Sequence, residues 1–264
     1  MPVEQRPIHF RASFDQAAED YDAARPGYPA ELIADIVTLA TLPSPARILE
    51  VGCGTGQATR PFAERGDHID CLDIGESLLE IARRKLAAFP RVRFHHAAFE
   101  TWPGEPGAFD LVLAATAFHW IVPEVGYSKA ASLLEAGGSL AICSNEHRAF
   151  PPDFAADLSR IDRQIVPSWP DPRNPPELDA AIAETAATID ATRRFAPVVV
   201  RAYPWSRSYT TTEYLRLLNT YSNYRALDEP TRARLFEAIA DLLERLYGGT
   251  ISKSYLAVLY LARK

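Results

Sequence analysis

Short runs of β-branched and aromatic residues alternate with amphipathic stretches along most of the chain. Five such runs predict β-strands at residues 47–52, 68–74, 92–99, 109–116 and 139–146. Helical patterns separate them, and this alternation is typical of repeated βαβ units. Two further runs, at 198–209 and 251–264, predict strands six and seven. The pattern therefore predicts an α/β protein with a doubly wound, mostly parallel, seven-stranded sheet.

Polar and glycine signals mark the ends of the predicted helices. Ser77 and Glu80 form a capping-box pattern that predicts the start of the helix between the second and third strands. Gly137-Gly138 is a normal exit for a helix predicted at about 124–136. The remaining predicted helices cover about 153–166, 176–192 and the stretch from Pro230 to Gly248-Gly249.

One segment interrupts this rhythm. Seven of the chain's 21 prolines fall between Pro151 and Pro176, between helical patterns. We interpret the segment as an inserted helical lid within a single domain, 1–264. The predicted parts of that domain are a helical cap at 1–46, a ligand-binding core at 47–146, the insertion at 147–197, and strands and a helix at 198–264 that complete the sheet.

Composition limits the classes of function. With 47% apolar residues and 23% charged residues, the chain reads as a globular protein. A net charge of −6 argues against binding to a nucleic-acid phosphate backbone. No apolar run approaches the roughly 20 residues that span a bilayer, and the amino terminus lacks the apolar core of a signal peptide. These features predict a cytoplasmic protein with no nucleic-acid or membrane partner, and they leave its oligomeric state open.

Metal-ligand patterns are lacking as well. Cys53, Cys71 and Cys143 are odd in number and have no C-x-x-C spacing, so packed thiols are expected. His95 and His96 are consecutive on a strand and would point to opposite faces of the sheet. No metal site is predicted.

The most informative stretch is a strand that leads through a glycine-rich turn into a helix, residues 48–59. Gly52, Gly54 and Gly56 allow positive φ values and the close approach of a ligand to the backbone. Asp73, which follows at the end of the second strand, can accept hydrogen bonds from the two hydroxyls of a ribose. Gln57 stands where a dinucleotide fingerprint requires glycine, and the Gly-Lys-Ser/Thr of a P-loop is absent. An adenosine ligand without a pyrophosphate fits this pattern best.

This combination resembles motifs I and II of the class I, Rossmann-like S-adenosylmethionine-dependent methyltransferases. The resemblance continues through residues 109–112, His119-Trp120 and Gly137-Gly138, in the manner of the type 11 group, and it covers roughly residues 12–146. The amino-terminal stretch from Tyr21 to Pro29 is similar to small-molecule methyltransferases that resemble trans-aconitate methyltransferase. The resemblance implies S-adenosyl-L-methionine as the cofactor, S-adenosyl-L-homocysteine as its product and a small-molecule acceptor.

The resemblance also assigns roles to residues. Asp73 would hold the ribose, Ala115 would face the sulfonium, and the residues after the third strand would meet the adenine, where Ala98 stands at a position the family often gives to aspartate. The cofactor set that it implies is Glu50, Gly52, Cys53, Gly54, Thr55, Gly56, Asp73, Ile74, Ala98, Phe99, Glu100 and Ala115.

Residues outside the glycine motif have two interpretations each. Tyr21 and Arg25 would share one face of a helix and could meet the cofactor's carboxylate, or they could be a packed tyrosine and a surface cation. His119 is a candidate catalytic residue that could take a proton from the acceptor, or it could form an aromatic pair with Trp120 that caps the sheet. The candidate substrate-binding residues are Tyr28, Trp120, Trp169 and Tyr221, for which core packing is the alternative.

Two rival functions follow from the same pattern. One is an NAD-dependent oxidoreductase, against which Gln57 and the absence of a Tyr-x-x-x-Lys set both weigh. The other is a nucleoside-binding protein without catalytic activity, because fold and cofactor alone do not prove turnover.

Overall fold

A computed structural model describes residues 18–169 and 178–264. Seven strands form one sheet, close to the predicted positions. Their bounds are β1 Arg47–Val51, β2 His68–Asp73, β3 Val92–His96, β4 Phe109–Ala115, β5 Leu134–His147, β6 Val199–Thr210 and β7 Thr250–Arg263.

The strand order is β3-β2-β1-β4-β5-β7-β6, and only β7 runs against its neighbours β5 and β6. Along the chain, β2 and β3 are added to the sheet on one side of β1, and β4 is then added on the other side of β1. The strand order therefore reverses between β1 and β4. In open α/β sheets, ligands bind beyond the carboxyl ends of the strands at such a point. The predicted α/β Rossmann-like class is confirmed.

Helices cover both faces of this sheet and its carboxyl edge. We number those of the described residues α1 to α10, and a short 3₁₀ turn spans Phe118–Trp120. Their bounds are α1 Ala18–Ala24, α2 Ala30–Leu39, α3 Thr59–Glu64, α4 Glu76–Lys85, α5 Pro123–Leu133, α6 Pro152–Ile165, α7 Leu178–Ala191, α8 Thr211–Asn219, α9 Ser222–Arg225 and α10 Glu229–Leu246. None of these described helices is long and apolar enough to cross a membrane.

Both faces of the sheet are buried, so the central strands consist of continuous runs of apolar residues. Ile48 and Leu111 face α2 and α3, whereas Leu49 and Val112 face α5 and α7. Parallel strands covered on both faces show this composition. The rigid central strands hold the loops at their carboxyl ends in place.

The two helices of the predicted insertion pack in different places. Phe154 of α6 lies edge-on to Tyr247, with ring centroids 5.1 Å apart, in a cluster with α8 and α10. Ile189 of α7 is buried with Tyr260 against the face of the sheet. These contacts attach each helix to the domain separately, and the lid role of 147–197 stays a prediction. Residues 170–177 of the insertion and residues 1–17 of the cap lie outside the described residues.

Two predicted helix ends are wrong. The helix predicted to start with a capping box at Ser77 begins at Glu76, its N-cap is Gly75, and no side chain caps it. The Asp73 Oδ1 accepts the backbone N–H of Gly75 at 2.8 Å, so the turn is already formed before Ser77 is reached.

The helix predicted at 124–136 is likewise shorter than expected. It ends at Leu133, because Leu134 pairs with Phe109 as the first residue of β5, and Gly137-Gly138 lies within that strand. Pairing with a distant strand overrides the local helical pattern.

Candidate active site

A cavity of about 480 Å³ opens at the carboxyl ends of the parallel strands. One side of it is formed by the loops after β1, β2 and β3, which we call the β2–β3 side. The other is formed by residues after β4 and β5 and by residues 221–224, which we call the β4–β5 side. A smaller cavity of about 70 Å³ adjoins it and shares Tyr21, Arg25, Gly52, Thr116, His147 and Tyr221 with it.

The glycine loop borders the cavity through positions that no larger residue could occupy without displacement. Gly52 has a φ of +69°, and a Cβ built on it would lie 2.5 Å from the Cβ of Ala117. Gly54 has a φ of +55°, and its Cβ would lie 3.2 Å from the ring of Tyr21. L-residues with side chains rarely adopt these φ values. The loop can therefore bring bare backbone up to a ligand.

Asp73 fixes the shape of this loop from the end of β2. Its Oδ2 accepts the backbone N–H of Gly54 at 2.8 Å, while its Oδ1 accepts that of Gly75. Each carboxylate oxygen has more than one lone pair, so an oxygen that accepts one of these bonds can accept another. The half-buried side chain also lines the cavity and can offer that capacity to a sugar.

Glu50 lies beneath the loop and is buried. Burial raises the pKa of its carboxyl to about 8, although the hydroxyl of Thr59, which donates to it at 2.6 Å, opposes the shift. The negative charge of Asp73 raises the pKa further. Glu50 also borders the smaller cavity. Its protonated carboxyl, hydrogen-bonded to Thr59, supports the glycine loop from below.

Three other loop residues serve mainly as packing. Thr55 is fully buried and accepts a hydrogen bond from Gln57 Nε2 at 2.8 Å. A Cβ on Gly56 would lie 2.9 Å from the side chain of Leu86, the residue directly after α4, so this glycine permits close packing of the loop against the end of α4. Cys53 is a buried thiol at the edge of the smaller cavity. Thr55 and Gly56 are not among the described residues that line the two cavities.

The predicted adenine region lies on the β2–β3 side. Ile74, Phe99 and Glu100 line the cavity. Of the two alanines that follow β3, Ala97 lines the cavity and Ala98 does not. Strand β3 ends at His96, and the Ala97 N–H bonds to the Asp73 carbonyl at 3.0 Å, which holds Ala97 at the cavity. The contact of Ala98 with the adenine stays a prediction.

The amino-terminal pair Tyr21 and Arg25 comes together across the cavity mouth. The Arg25 guanidinium lies 5.1 Å from the centroid of the Tyr21 ring and 4.9 Å from that of Tyr221. Its Nε donates to Thr220 Oγ1 at 2.8 Å and its Nη2 donates to the Thr220 carbonyl at 2.9 Å. These contacts tie α1 to the end of α8 above the loop.

The end of β4 has an unusual backbone conformation. Ala115 borders the smaller cavity, and Thr116 next to it has a φ of +54°, which is rare for a β-branched residue. A hydrogen bond of 2.6 Å joins the Thr116 hydroxyl to that of Tyr28, and the Thr116 N–H donates to the Cys143 carbonyl at 2.7 Å. Such strain persists where surrounding contacts over-determine it, and it is frequent at active sites.

The remaining candidates divide between the cavity and the core. His119 is exposed, stands with its ring 5.0 Å from that of Trp120, and both line the β4–β5 side. Tyr221 lines both cavities. Trp169 instead packs edge-on against Tyr224 at 4.9 Å and is not among the described residues around either cavity. Trp169 therefore has a contact expected of core packing, and its role in substrate binding stays a prediction.

Sequence reasoning missed several lining residues, among them Thr116, Ala117, His147, Ser222 and Asn223. One signal could have found His147. It directly follows the strand predicted to end at Glu146, and ligands are expected at the carboxyl ends of strands. Nothing local in the sequence marks Ser222 and Asn223, which lie in the short helix α9 directly after α8.

The fold and the glycine-loop site define a class I S-adenosylmethionine-dependent methyltransferase. A family model for a methyltransferase domain matches residues 48–138. An uncharacterised methyltransferase-like protein of Schizosaccharomyces pombe is 26% identical over 238 residues, which cover 89% of this chain and 87% of that protein. The demethylmenaquinone methyltransferase of Clavibacter sepedonicus is 30% identical over 146 residues, or 53% of this chain and 60% of that enzyme.

Solved structures agree on the fold. A chain from Anaeromyxobacter dehalogenans assigned as a type II methyltransferase has a TM-score of 0.64, with 22% identity over 90% of this chain and 97% of its own. Phosphoethanolamine N-methyltransferase 2 of Haemonchus contortus, solved with phosphomonomethylethanolamine and S-adenosylhomocysteine, has a TM-score of 0.56, with 17% identity over 97% of this chain and 60% of its own. The chain belongs to the class I methyltransferases of the type 11 and 25 group, and its cofactor is S-adenosylmethionine.

Proposed function

We propose that this protein transfers the methyl group of S-adenosylmethionine to a small organic molecule bound on the β4–β5 side of the cavity. The observation that carries the proposal is that a single cavity joins Asp73 and the glycine loop to a second, aromatic-walled region at His119 and Tyr221. One region suits the adenosine and the other suits an acceptor.

The residues present fit the cofactor. Bare backbone at Gly52 and Gly54 leaves room where a Cβ would collide, Asp73 offers oxygen acceptors for a ribose, and Ile74 and Phe99 offer apolar surface for a base. When bound, the cofactor supplies an electrophilic methyl group on a sulfonium. The predicted contact of Tyr21 and Arg25 with the cofactor's carboxylate is part of the proposal, because both residues border the loop.

Catalysis then depends on alignment more than on proton transfer. The strained turn at Thr116 fixes the position of Ala117 against Gly52, so the boundary between the two sides of the cavity has a defined shape. Rings of Trp120 and Tyr221 can exclude water from the acceptor and orient it. Positioning of two reactants in this way can supply a large part of a rate enhancement. His119 is the candidate to take a proton where an acceptor carries one.

Binding and turnover can be tested separately. The melting temperature of the purified protein should rise with S-adenosylhomocysteine and should not respond to NADH. Formation of S-adenosylhomocysteine from S-adenosylmethionine, screened over a library of small metabolites, then tests transfer. Stabilisation by NADH alone would favour an oxidoreductase, and binding without turnover over the whole library would favour a nucleoside-binding protein.

A further inference from the structure

The connection between α1 and α2, residues 25–29, borders the smaller cavity and is neither helix nor strand; we call it the α1–α2 linker. Arg25, Pro26 and Tyr28 line that cavity, and Arg25 lines the larger one as well. Hydrogen bonds to the carboxyl ends of two strands hold the linker. The Tyr28 hydroxyl bonds to Thr116 after β4 at 2.6 Å, and the Gly27 carbonyl accepts from Asn145 of β5 at 2.9 Å. Contacts with the sheet therefore set the position of the linker.

The side-chain amide of Asn145 has its orientation fixed by two partners of opposite kind. The indole N–H of Trp205, on β6, donates to Asn145 Oδ1 at 3.0 Å, and Asn145 Nδ2 donates to the Gly27 carbonyl. An indole nitrogen can only donate and a carbonyl can only accept, so the amide oxygen must face Trp205 and the amide nitrogen must face Gly27. Asn145 also lines the smaller cavity.

Trp205 is itself held by the core. Its ring stacks on that of Tyr255, with centroids 5.1 Å apart and planes at 25°. Tyr255 is only 1% exposed, and its hydroxyl shares a hydrogen bond of 2.9 Å with that of Tyr209. The indole N–H therefore has a fixed direction, and the contacts from Trp205 through Asn145 to Gly27 carry that direction from the outer strands to the linker.

The linker places a cation where the two cavities meet. Arg25 and Gly52 both line the smaller cavity and the larger one, and Arg25 stands two residues before Gly27. A shift of the linker would therefore displace the guanidinium relative to the glycine loop. The residues proposed for the adenosine, Asp73 and Phe99, line the larger cavity on its β2–β3 side, and Asn145 is not among the described residues that line it.

We infer that Asn145, oriented by Trp205, is a positioning residue for the amino-acid end of the cofactor; this inference rests on the proposed function. Asn145 acts through the Gly27 carbonyl, which holds the linker so that Arg25 meets the cofactor's carboxylate beside Gly52. The direction of a charged hydrogen bond depends on this placement. The adenosine end depends instead on Asp73 and the β2–β3 side.

Two ligands separate the two ends of the cofactor. S-adenosylhomocysteine carries both ends, whereas methylthioadenosine is the adenosine thioether without the amino-acid end. Calorimetry measures both affinities, and weak binding of methylthioadenosine is measured by its displacement of S-adenosylhomocysteine. Asn145→Ala should weaken S-adenosylhomocysteine about tenfold and leave methylthioadenosine within about twofold. A general loss of structure would weaken both ligands equally.

Trp205→Phe tests the part of Trp205. It keeps an aromatic ring against Tyr255 but removes the N–H that orients Asn145, so S-adenosylhomocysteine affinity should fall about threefold to tenfold. In the Asn145→Ala background the same change should have little further effect on S-adenosylhomocysteine, because the two residues act in series.

Matched controls remove a hydrogen bond from each strand without touching the linker. Ser144→Ala removes the bond of Ser144 to Glu146, next to Asn145 on β5. Tyr203→Phe removes a bond to Asp35, two residues before Trp205 on β6. Neither residue is among those described around the cavities, and neither variant should change the ratio of the two affinities.

The other outcomes contradict the inference. Unchanged S-adenosylhomocysteine affinity in Asn145→Ala, equal losses for both ligands, or an undiminished effect of Trp205→Phe in the Asn145→Ala background would overturn it and leave the proposed function intact. Failure of the unaltered protein to bind S-adenosylhomocysteine would overturn the proposed function itself.

Discussion

Gly52 and Ala117 approach so closely that a Cβ on residue 52 would lie 2.5 Å from the Cβ of Ala117. The contact joins the loop after β1 to the turn after β4, across the point where the sheet reverses its order. Gly52→Ala should therefore destabilise the protein by two effects, the positive φ and the collision, and should abolish binding of S-adenosylhomocysteine.

Gly107 allows the two effects to be separated. Its φ is +70°, but a Cβ there has nothing within 4 Å, so Gly107→Ala measures the conformational cost alone, about 1–2 kcal/mol. Urea unfolding should show that Gly52→Ala costs roughly 1–3 kcal/mol more, and Ala117→Gly in the Gly52→Ala background should recover much of the difference. Equal losses for Gly52→Ala and Gly107→Ala would show that the collision is relieved without cost.

Asp73 is expected to act on both the loop and the ribose. Asp73→Ala removes the acceptor of the Gly54 N–H as well as the sugar contact, so S-adenosylhomocysteine affinity should fall about tenfold to a hundredfold by calorimetry. Asp70→Asn is the control, because Asp70 stands on the same strand but contacts His95 at 2.7 Å, away from the cavity. Unchanged affinity in Asp73→Ala would refute the assignment of the ribose site.

The hydrogen bond between Tyr28 and Thr116 should stabilise the turn after β4. A double-mutant cycle with Tyr28→Phe and Thr116→Val should give a coupling of about 1 kcal/mol in urea unfolding. Tyr203→Phe removes a bond of the same 2.6 Å length to Asp35, far from the cavity. We expect Tyr28→Phe, and not Tyr203→Phe, to weaken S-adenosylhomocysteine binding. The same loss in both would assign Tyr28 to general stability.

Much of the fold could be predicted because strands and glycine turns are local signals. The β-branched runs between breakers located all seven strands, and the loop at Gly52 and the acid at Asp73 identified the cofactor class. Where the sequence misled, a distant contact had decided the outcome. Leu134 left its predicted helix to pair with Phe109 on a strand 25 residues earlier in the chain.

The β4–β5 side was least predictable for the same reason. His147 carries no motif, and its environment comes from Tyr221, Tyr255 and Lys253, which belong to other parts of the chain. Trp169 shows a related difficulty, since this aromatic residue in a proline-rich segment suggested a pocket, and the structure packs it on Tyr224, which itself lines the cavity. Residue type alone does not distinguish a lining ring from a core ring.

Glu50 should make the protein without cofactor less stable as the pH rises. Its pKa is about 8 in the folded chain and 4.5 as the reference for an unfolded one. Between those values the folded state holds a proton that the unfolded state has lost, so the free energy of unfolding falls with rising pH, by up to about 1.4 kcal/mol per unit. Glu50→Gln should remove this part of the slope between pH 5 and 8.

Glu213 provides the contrast for Glu50. Hydrogen bonds from the Thr210 backbone and hydroxyl lower the pKa of Glu213, so its contribution to stability is lost only as the pH falls below about 4.5. Glu213→Gln should therefore leave the slope between pH 5 and 8 unchanged. Equal slopes for Glu50→Gln and the unaltered chain would show that Glu50 is ionised in the folded state.

Cofactor binding should order the elements that cover the cavity in the structure. These are α1, which carries Tyr21, the adjoining Arg25, and residues 221–225, whereas α7 at 178–191 buries Ile189 against the sheet. Saturating S-adenosylhomocysteine should therefore slow amide hydrogen exchange in 18–25 and 221–225 and leave 178–191 unchanged. Asp73→Ala with the same ligand is the control for effects other than binding. Equal protection of 178–191 would instead show that the insertion closes over the site as a lid. The hydrogen bonds of Arg25 with Thr220 would then not be the contacts that retain the ligand.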